Sequence, residues 1–513
     1  MHALSAPRTS ARAGAARRAG ESWWPLAAII ALAAALRLPT LGAQSFWYDE
    51  AFSAVHVFHA GLGATLHAVV HTENSPPLWY LIGWLDVRVL GDGAFALRLP
   101  SALAGIATVP IAWGIGRELA GRGAAVVAAA LVAVNPLFVW YSQEARVYAL
   151  LVLTSALAML CFLRALAVPS RGRMAAFALS GALALLTHYF TVFMLLAMVL
   201  LLLRDPVRRR GALAAAAATA AVGGALLPLV IAQGGHGTQW IGRWALSSRV
   251  EAIPQYYLTG YSGAPLGHGL ELLVALPILA ALALGTWALR AGADMRAAAG
   301  ARIALALLAA GVLAPLALAL AGADYLAPRN LVGAMIPLTA LLAVLLVAPL
   351  RSSGPDRARA RVSDLGVVAI ALTCVIATAF AAITIDIALS PRLQRGNWRG
   401  VAHALGAVGP QTALATVELG AAPLEYYIAG LHNLRRGATV AISEIDEIGY
   451  APLRSGADRP PVAGFSLVSR GEVDGLITYR FRAAAPRAVS DAVLRHSVIT
   501  HARPEVLVAQ DPP

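Results

Sequence analysis

The sequence predicts a polytopic α-helical membrane protein that ends in a small α/β domain, and three observations carry that prediction. Hydrophobic residues make up 59% of the 513 positions and charged residues only 13%, whereas soluble domains carry roughly a quarter charged. Apolar runs such as 273–289 and 331–350 are long enough to cross a hydrocarbon core of about 30 Å as helices. The tail from about 390 departs from that pattern, alternating short apolar stretches with polar ones.

Helices are the expected solution because lipid offers no partner to an unpaired backbone amide, and the runs lack the alternation a barrel needs. The formal charge of +13 does not point to nucleic acid. Its 40 basic residues are all arginine, and before the tail most of them fall in short joints between apolar runs. Cys161 and Cys374 both sit inside apolar runs, which argues against a disulfide framework or a cysteine-based metal site. The run 23–41 is long and has no obvious cleavage site, so it is read as a retained first span.

Hydrophobic length predicts about eleven spans: 23–42, 96–117, 123–141, 147–166, 173–187, 189–203, 212–232, 269–289, 301–321, 331–350 and 365–389. Arginines collect in 1–22, 116–123, 163–173, 204–210, 290–302 and 351–361, alternating with arginine-poor segments. The positive-inside rule then places all six in the cytoplasm. Outside lie a first loop 43–95, the short joints 140–148, 187–190 and 322–330, a second large loop 233–268, and the domain 390–513. Segment 76–91, with Asp86 and Arg88, is expected to lie along the interface, since a span there would invert every later loop.

Candidate chemistry gathers on the outer side. SFWYDEAFS (45–53) places Asp49 and Glu50 just after a span. They are read either as acids favouring a helix start or as a general base or metal ligand at the membrane surface. HTENSPPLWY (71–80) brings Glu73 before a proline-forced turn. His56, His59, His67 and His71 recur at helical spacing but lack a convincing third metal ligand. WYSQEARVY (140–148) sets Glu144 and Arg146 at the mouth of two spans, as a salt bridge or with Arg146 as a phosphate fork. His188 in THYF joins two unusually short spans, where a cavity could thin the bilayer. The second loop offers Trp240 and Arg243, suited to carbohydrate contact or to an interfacial belt. Tyr325 and Arg329 lie in DYLAPRNL (324–331), and Arg329 stands on the side that otherwise avoids arginine. No Walker A, dinucleotide-binding, CxxC or HExxH pattern occurs in a meaningful context.

SFWYDE, SPPLWY, FALRLPSALAG (95–105), NPLFVWYSQEARVYALL (135–151), THYF and PRNL follow one another in the order seen in GT-C membrane glycosyltransferases. Over roughly 22–350 the chain resembles the family 39-like group of protein mannosyltransferases, aminoarabinose transferases and RgtA/B/C/D-like enzymes. The resemblance implies the GT-C fold and transfer of a sugar, usually with inversion, from a polyprenyl phosphate to a lipid, glycan or protein acceptor at the outer face of the bacterial cytoplasmic membrane. It implies Asp49 as base with Glu50 as orienting or second acid, and Arg146 and Arg329 as binders of the lipid phosphate. Glu73, Glu144, His188, Trp240, Arg243 and Tyr325 would line the site. No cofactor is indicated with certainty, and a divalent metal stays open. The aminoarabinose transferases carry a lysine after a first-loop acid and eukaryotic protein mannosyltransferases insert a lectin-like domain. This chain has neither, so their substrates are not carried over.

In the tail, 394–405 and 420–430 read as helices and 412–419, 462–470 and 475–483 as strands. Two rival functions are a flippase of lipid-linked sugars and a non-catalytic scaffold. A flippase would need broken helices with charges near the bilayer midplane, whereas the charges here cluster at one face.

Overall fold

The computed structural model describes residues 23–236, 238–260, 267–292, 294–351, 356–496, 499 and 504–509. The basic segment 1–22, the second-loop stretch 261–266 and part of the arginine cluster 351–361 lie outside the described residues.

The first helix, α1 (Trp24–Ala35), is shorter than the expected 23–42. Pro39 disfavours helical backbone on Leu38, and Arg37, fully buried, turns inward. Its guanidinium donates to the carbonyls of Ala33, Val132 and Ala133 and to Ser142 Oγ. Three short helices follow: α2 (Tyr48–Phe52), α3 (Leu62–Thr72) and α4 (Leu78–Leu90). At 13 residues α4 is too short to span, as expected for 76–91. Arg88 at its end lies over the Trp84 ring and donates to the His59 and Ala60 carbonyls.

Helix α5 (Ala94–Val134) breaks at Ala120 and Gly121, inside the arginine joint 116–123, with Gly121 at φ 78°. Only a glycine adopts that left-handed turn without strain. Span 123–141 also proves to be two pieces. Asn135 ends α5, and its side chain accepts from the amides of Leu137 and Phe138 to start α6 (Pro136–Ser142), with proline in the first turn where no donor is missed. Gly105 lets these pieces meet, since a β-carbon there would fall 2.0 Å from Ser142 Oγ.

The bundle continues through α7 (Tyr148–Ala167), α8 (Arg171–Thr187), α9 (Thr191–Leu203), α10 (Pro206–Ala232), α11 (Leu246–Thr259), α12 (His268–Arg290), α13 (Met295–Leu320), α14 (Met335–Val347) and α15 (Asp356–Leu389). A 3₁₀ segment, Pro328–Ala334, leads into α14. Among the described residues seven helices are long and apolar enough to cross a membrane, and α1 and α9 are shorter apolar ones. The α14 segment is almost wholly buried at the centre of the bundle, whereas α10 exposes most of its apolar surface, as a lipid-facing helix does.

The two ends of the bundle differ. At one end the arginine joints meet: Arg296 donates to the carbonyls of Arg117 and Glu118, and Arg173 to that of Arg164. At the other end the arginine-poor loops lie beneath the tail.

The tail holds α16 (Trp398–Leu405), α17 (Ala421–Tyr427), α18 (Asp491–His496) and a six-stranded mixed sheet. Its strands are β1 (Thr412–Val417), β2 (His432–Asn433), β3 (Thr439–Tyr450), β4 (Phe465–Val473), β5 (Leu476–Ser490) and β6 (Pro504–Val508), in the order β2-β6-β1-β3-β5-β4. Only β1 and β3 run parallel; the other neighbours are antiparallel. Trp398, completely buried, packs with Tyr48 of α2 at 5.5 Å between ring centroids, and Tyr427 Oη accepts from the Phe46 amide. The tail is thereby docked on the segment that carries the two first-loop acids.

Candidate active site

Successive residues on a helix point about 100° apart, so Asp49 and Glu50 on α2 enter different surroundings. Glu50 is fully buried. Its two oxygens accept from Arg98 Nε and Nη2, each at 2.7 Å, and from the amides of Ala145 (2.7 Å) and Trp47 (3.1 Å). Burial works to raise the Glu50 carboxyl, but Arg98, with Arg395 and the Ala145 amide, outweighs it and holds the group below its ordinary value. Arg98 also donates to the carbonyls of Leu41, Gln44 and Ser45. This ion pair braces the loop and keeps Glu50 charged.

Asp49 points away from this buried pair and is partly exposed. Its Oδ2 accepts from Arg329 Nη1 at 2.9 Å. The Arg329 guanidinium lies under the Trp240 ring, 4.6 Å from its centroid, and 5.9 Å from that of Tyr148. Four elements thus meet here: α2, the start of α7, the second loop and the 3₁₀ turn before α14.

One step deeper, Arg146 forms a two-pronged pair with Glu73, at 3.2 and 2.9 Å, and donates to Ser53 Oγ at 2.7 Å. Tyr80 donates to the same Glu73 at 2.5 Å. Both ions are buried, so this arginine arrives at the site already balanced by a carboxylate. Arg329 is the more accessible cation of the two phosphate candidates.

Glu144 is likewise buried and held by Arg395 Nη2 at 3.0 Å, whose guanidinium lies 4.1 Å from the Trp140 centroid. Burial raises the Glu144 carboxyl, against the pull of Arg395. His188, at the short turn between α8 and α9, is pushed down to about 4 by burial and by Arg329, although a hydrogen bond with Asn330 works upward. It therefore stands neutral beside the Asp49–Arg329 pair.

The remaining candidates lie outside this centre. Arg243 reaches away to the tail, 2.7 Å from Glu418, and Tyr325 is exposed at the rim. Arg249 holds Asp324 with two bonds of 2.7 Å and so fixes the segment leading to Arg329. His56 meets Glu425 of the tail at 2.7 Å, and His67 stacks on His71. Among the described residues no group of three or more His, Cys, Asp or Glu side chains is placed to hold a metal.

Sequence reasoning had not singled out Arg98, Arg395, Arg249 or Glu418. A signal existed for Arg98, which stands just inside an apolar span where an arginine is costly unless paired.

Residues 74–232 match the family described as dolichyl-phosphate-mannose-protein mannosyltransferase. No curated protein matches the sequence. Among solved structures, ArnT from Cupriavidus metallidurans in the apo state superposes with a TM-score of 0.53 at 15% identity, covering 88% of this chain and 97% of that one. The same protein bound to undecaprenyl phosphate gives 0.54 at 14% identity, covering 90% and 98%. Together with the outward apolar helices and the strand-containing tail, these likenesses establish the chain as a multi-pass membrane protein of the GT-C fold.

Proposed function

We propose that this protein takes a sugar from a polyprenyl phosphate at the outer face of the cytoplasmic membrane and passes it, with inversion, to a lipid, glycan or protein acceptor. The observation that carries this reading is the Asp49–Arg329 pair, 2.9 Å apart and partly open, at the end of the bundle opposite the arginine joints. By the positive-inside rule the N-terminus then lies in the cytoplasm and the tail outside. The undecaprenyl phosphate bound by ArnT supports the same kind of lipid here.

In this scheme Asp49 accepts the proton of the acceptor hydroxyl as its oxygen attacks the anomeric carbon. The bond to the phosphate oxygen breaks, and the lipid phosphate leaves with the electron pair. Arg329 offsets the charge developing on that phosphate; a guanidinium carries five N–H donors, enough for a carboxylate and a phosphate oxygen together. Glu50 with Arg98, and Arg146 with Glu73, hold α2 in place. Trp240 roofs Arg329, His188 lines the floor in its neutral form, and anchoring of the donor in the membrane supplies proximity.

The test is transfer by the purified protein from a panel of radiolabelled polyprenyl-phosphate sugars, wild type against Asp49→Asn. Label reaching an acceptor only with wild type supports the reading and names the sugar. Label that crosses proteoliposomes on its lipid without being transferred would assign the protein to transport instead.

A further inference from the structure

The first half of the second loop is fastened at Gln233 and again at Arg249 and held more loosely between them. At its start, Gln233 is buried, donates to the carbonyls of Val69 and Ser75, and accepts from Tyr189 Oη. Within α11, Arg249 is locked to Asp324 and donates to the Trp244 carbonyl. Between these anchors the chain passes Gly235 at φ 87°, with open space around it, and carries Trp240 to its place over Arg329. Trp244 meets Trp240 edge to face at 6.0 Å.

Arg243, between those tryptophans, donates to both oxygens of Glu418, at 2.7 and 3.4 Å. Glu418 belongs to the turn that follows β1. The next residue, Leu419, has φ 69°, a left-handed conformation that side chains other than glycine rarely adopt. Glu505 of β6 accepts from the Ala421 amide at 2.9 Å and so pins the turn. The domain carrying Glu418 is itself seated on the Asp49 segment through Trp398 and Tyr427, and Arg395 donates to Gln44 Oε1 just before that segment. A strained turn, pinned from behind and aimed at the loop that roofs the site, suggests a role beyond folding.

We infer that Glu418 is a positioning residue: through Arg243 it holds the second loop so that Trp240 covers Arg329, and the tail thereby sets the geometry of the transfer site. This rests on the function proposed above. Glu418 touches neither Asp49 nor the reacting atoms in this account. Both members of the pair are solvent-accessible, and exposed ion pairs exchange readily with water. The contact therefore acts as a reversible latch: closed, it places Trp240; released, it lets the loop swing between its two anchors to admit the lipid-linked sugar.

The test uses the full-length protein in nanodiscs, with Cys161 and Cys374 replaced by alanine and spin labels at Gln239→Cys and Ser469→Cys. A single narrow distance is expected for the parent. Glu418→Arg should broaden it, and Arg243→Glu added to Glu418→Arg should narrow it again by re-forming the pair with reversed charges. In the transfer assay Glu418→Arg should lower kcat by about a hundredfold, the scale of a misplaced positioning element, with KM for the donor changing less, and the double variant should regain most of the rate. An unchanged distance distribution in Glu418→Arg overturns the latch. So does a broadened distribution with unaltered kcat. If the parent transfers no sugar at all, the proposed function fails, while the distance measurement still decides whether Glu418 holds the loop.

Discussion

Asp49 and Arg329 are 280 residues apart in the chain, yet their side chains meet at 2.9 Å. Arg329 lies at the end of the bundle opposite the arginine joints, and its partner is the acid of the Asp49–Glu50 pair that stays partly exposed. A carboxylate and a guanidinium in contact at a site open to solvent can separate functions on substrate arrival: one takes a proton, the other a phosphate.

Asp49→Asn keeps the shape and the acceptance from Arg329 but cannot take a proton. Transfer is expected to fall by ~10²–10⁴-fold, the usual contribution of a general base, with the thermal midpoint nearly unchanged. Wild-type single-turnover rates for this variant would remove Asp49 from the mechanism.

Arg329→Ala should weaken binding of undecaprenyl phosphate by ~10–100-fold, the loss of one or two charge-assisted hydrogen bonds. Arg329→Lys keeps the charge without the fork and should recover part of the loss. Equal affinities for all three proteins, measured by quenching or calorimetry, would count against a phosphate contact.

Glu50→Gln leaves Arg98 buried without its counter-charge, which costs about 3–5 kcal/mol and should show as a lower unfolding temperature in detergent. Glu50→Gln with Arg98→Met removes both charges and should regain much of it. Because the folded carboxyl lies below its ordinary value of 4.5, its stabilisation is complete above that pH and is lost as pH falls through the lower folded value. If the single variant melts with wild type, the pair does not brace the loop.

His188 gives a separate acid signature. Its folded value of about 4 lies below the ordinary 6.5, so the unfolded chain binds the proton first. Stability contributed by the neutral ring is complete above pH 6.5 and is lost as pH falls from 6.5 towards 4, by about 3 kcal/mol in all. His188→Gln should flatten that slope in pH-dependent melting, and an unaltered slope would assign it to other groups.

Much of the bundle is legible because lipid imposes a strong rule: long apolar runs and the alternation of arginines locate the helices and their two ends. The first-loop acids and Arg329 are legible for the same reason, as charges where few belong. What the sequence hides is partnership. Glu50 finds Arg98 and Glu144 finds Arg395 across 48 and 251 residues, and no local pattern encodes those distances. Strand β3 escapes for a related reason. Its Glu444 and Asp446 make Thr439–Tyr450 look like a polar connection, until Arg480 and Arg482 on β5 neutralise them across the sheet. The early end of α1 turns on a buried arginine whose acceptors, Ala33 apart, lie 95 to 105 residues away.

The placement of β6 sets the order in which the protein can be completed during synthesis. Among the described strands β6 is the last in sequence, yet it lies inside the sheet, between β2 and β1, and its Glu505 fastens the turn that presents Glu418. The membrane helices can therefore assemble while translation continues, but the sheet stays open, with β1 unpaired on one side, until the chain has been made to that point. A ribosome that stops short would leave a full set of spans under an unfinished cap.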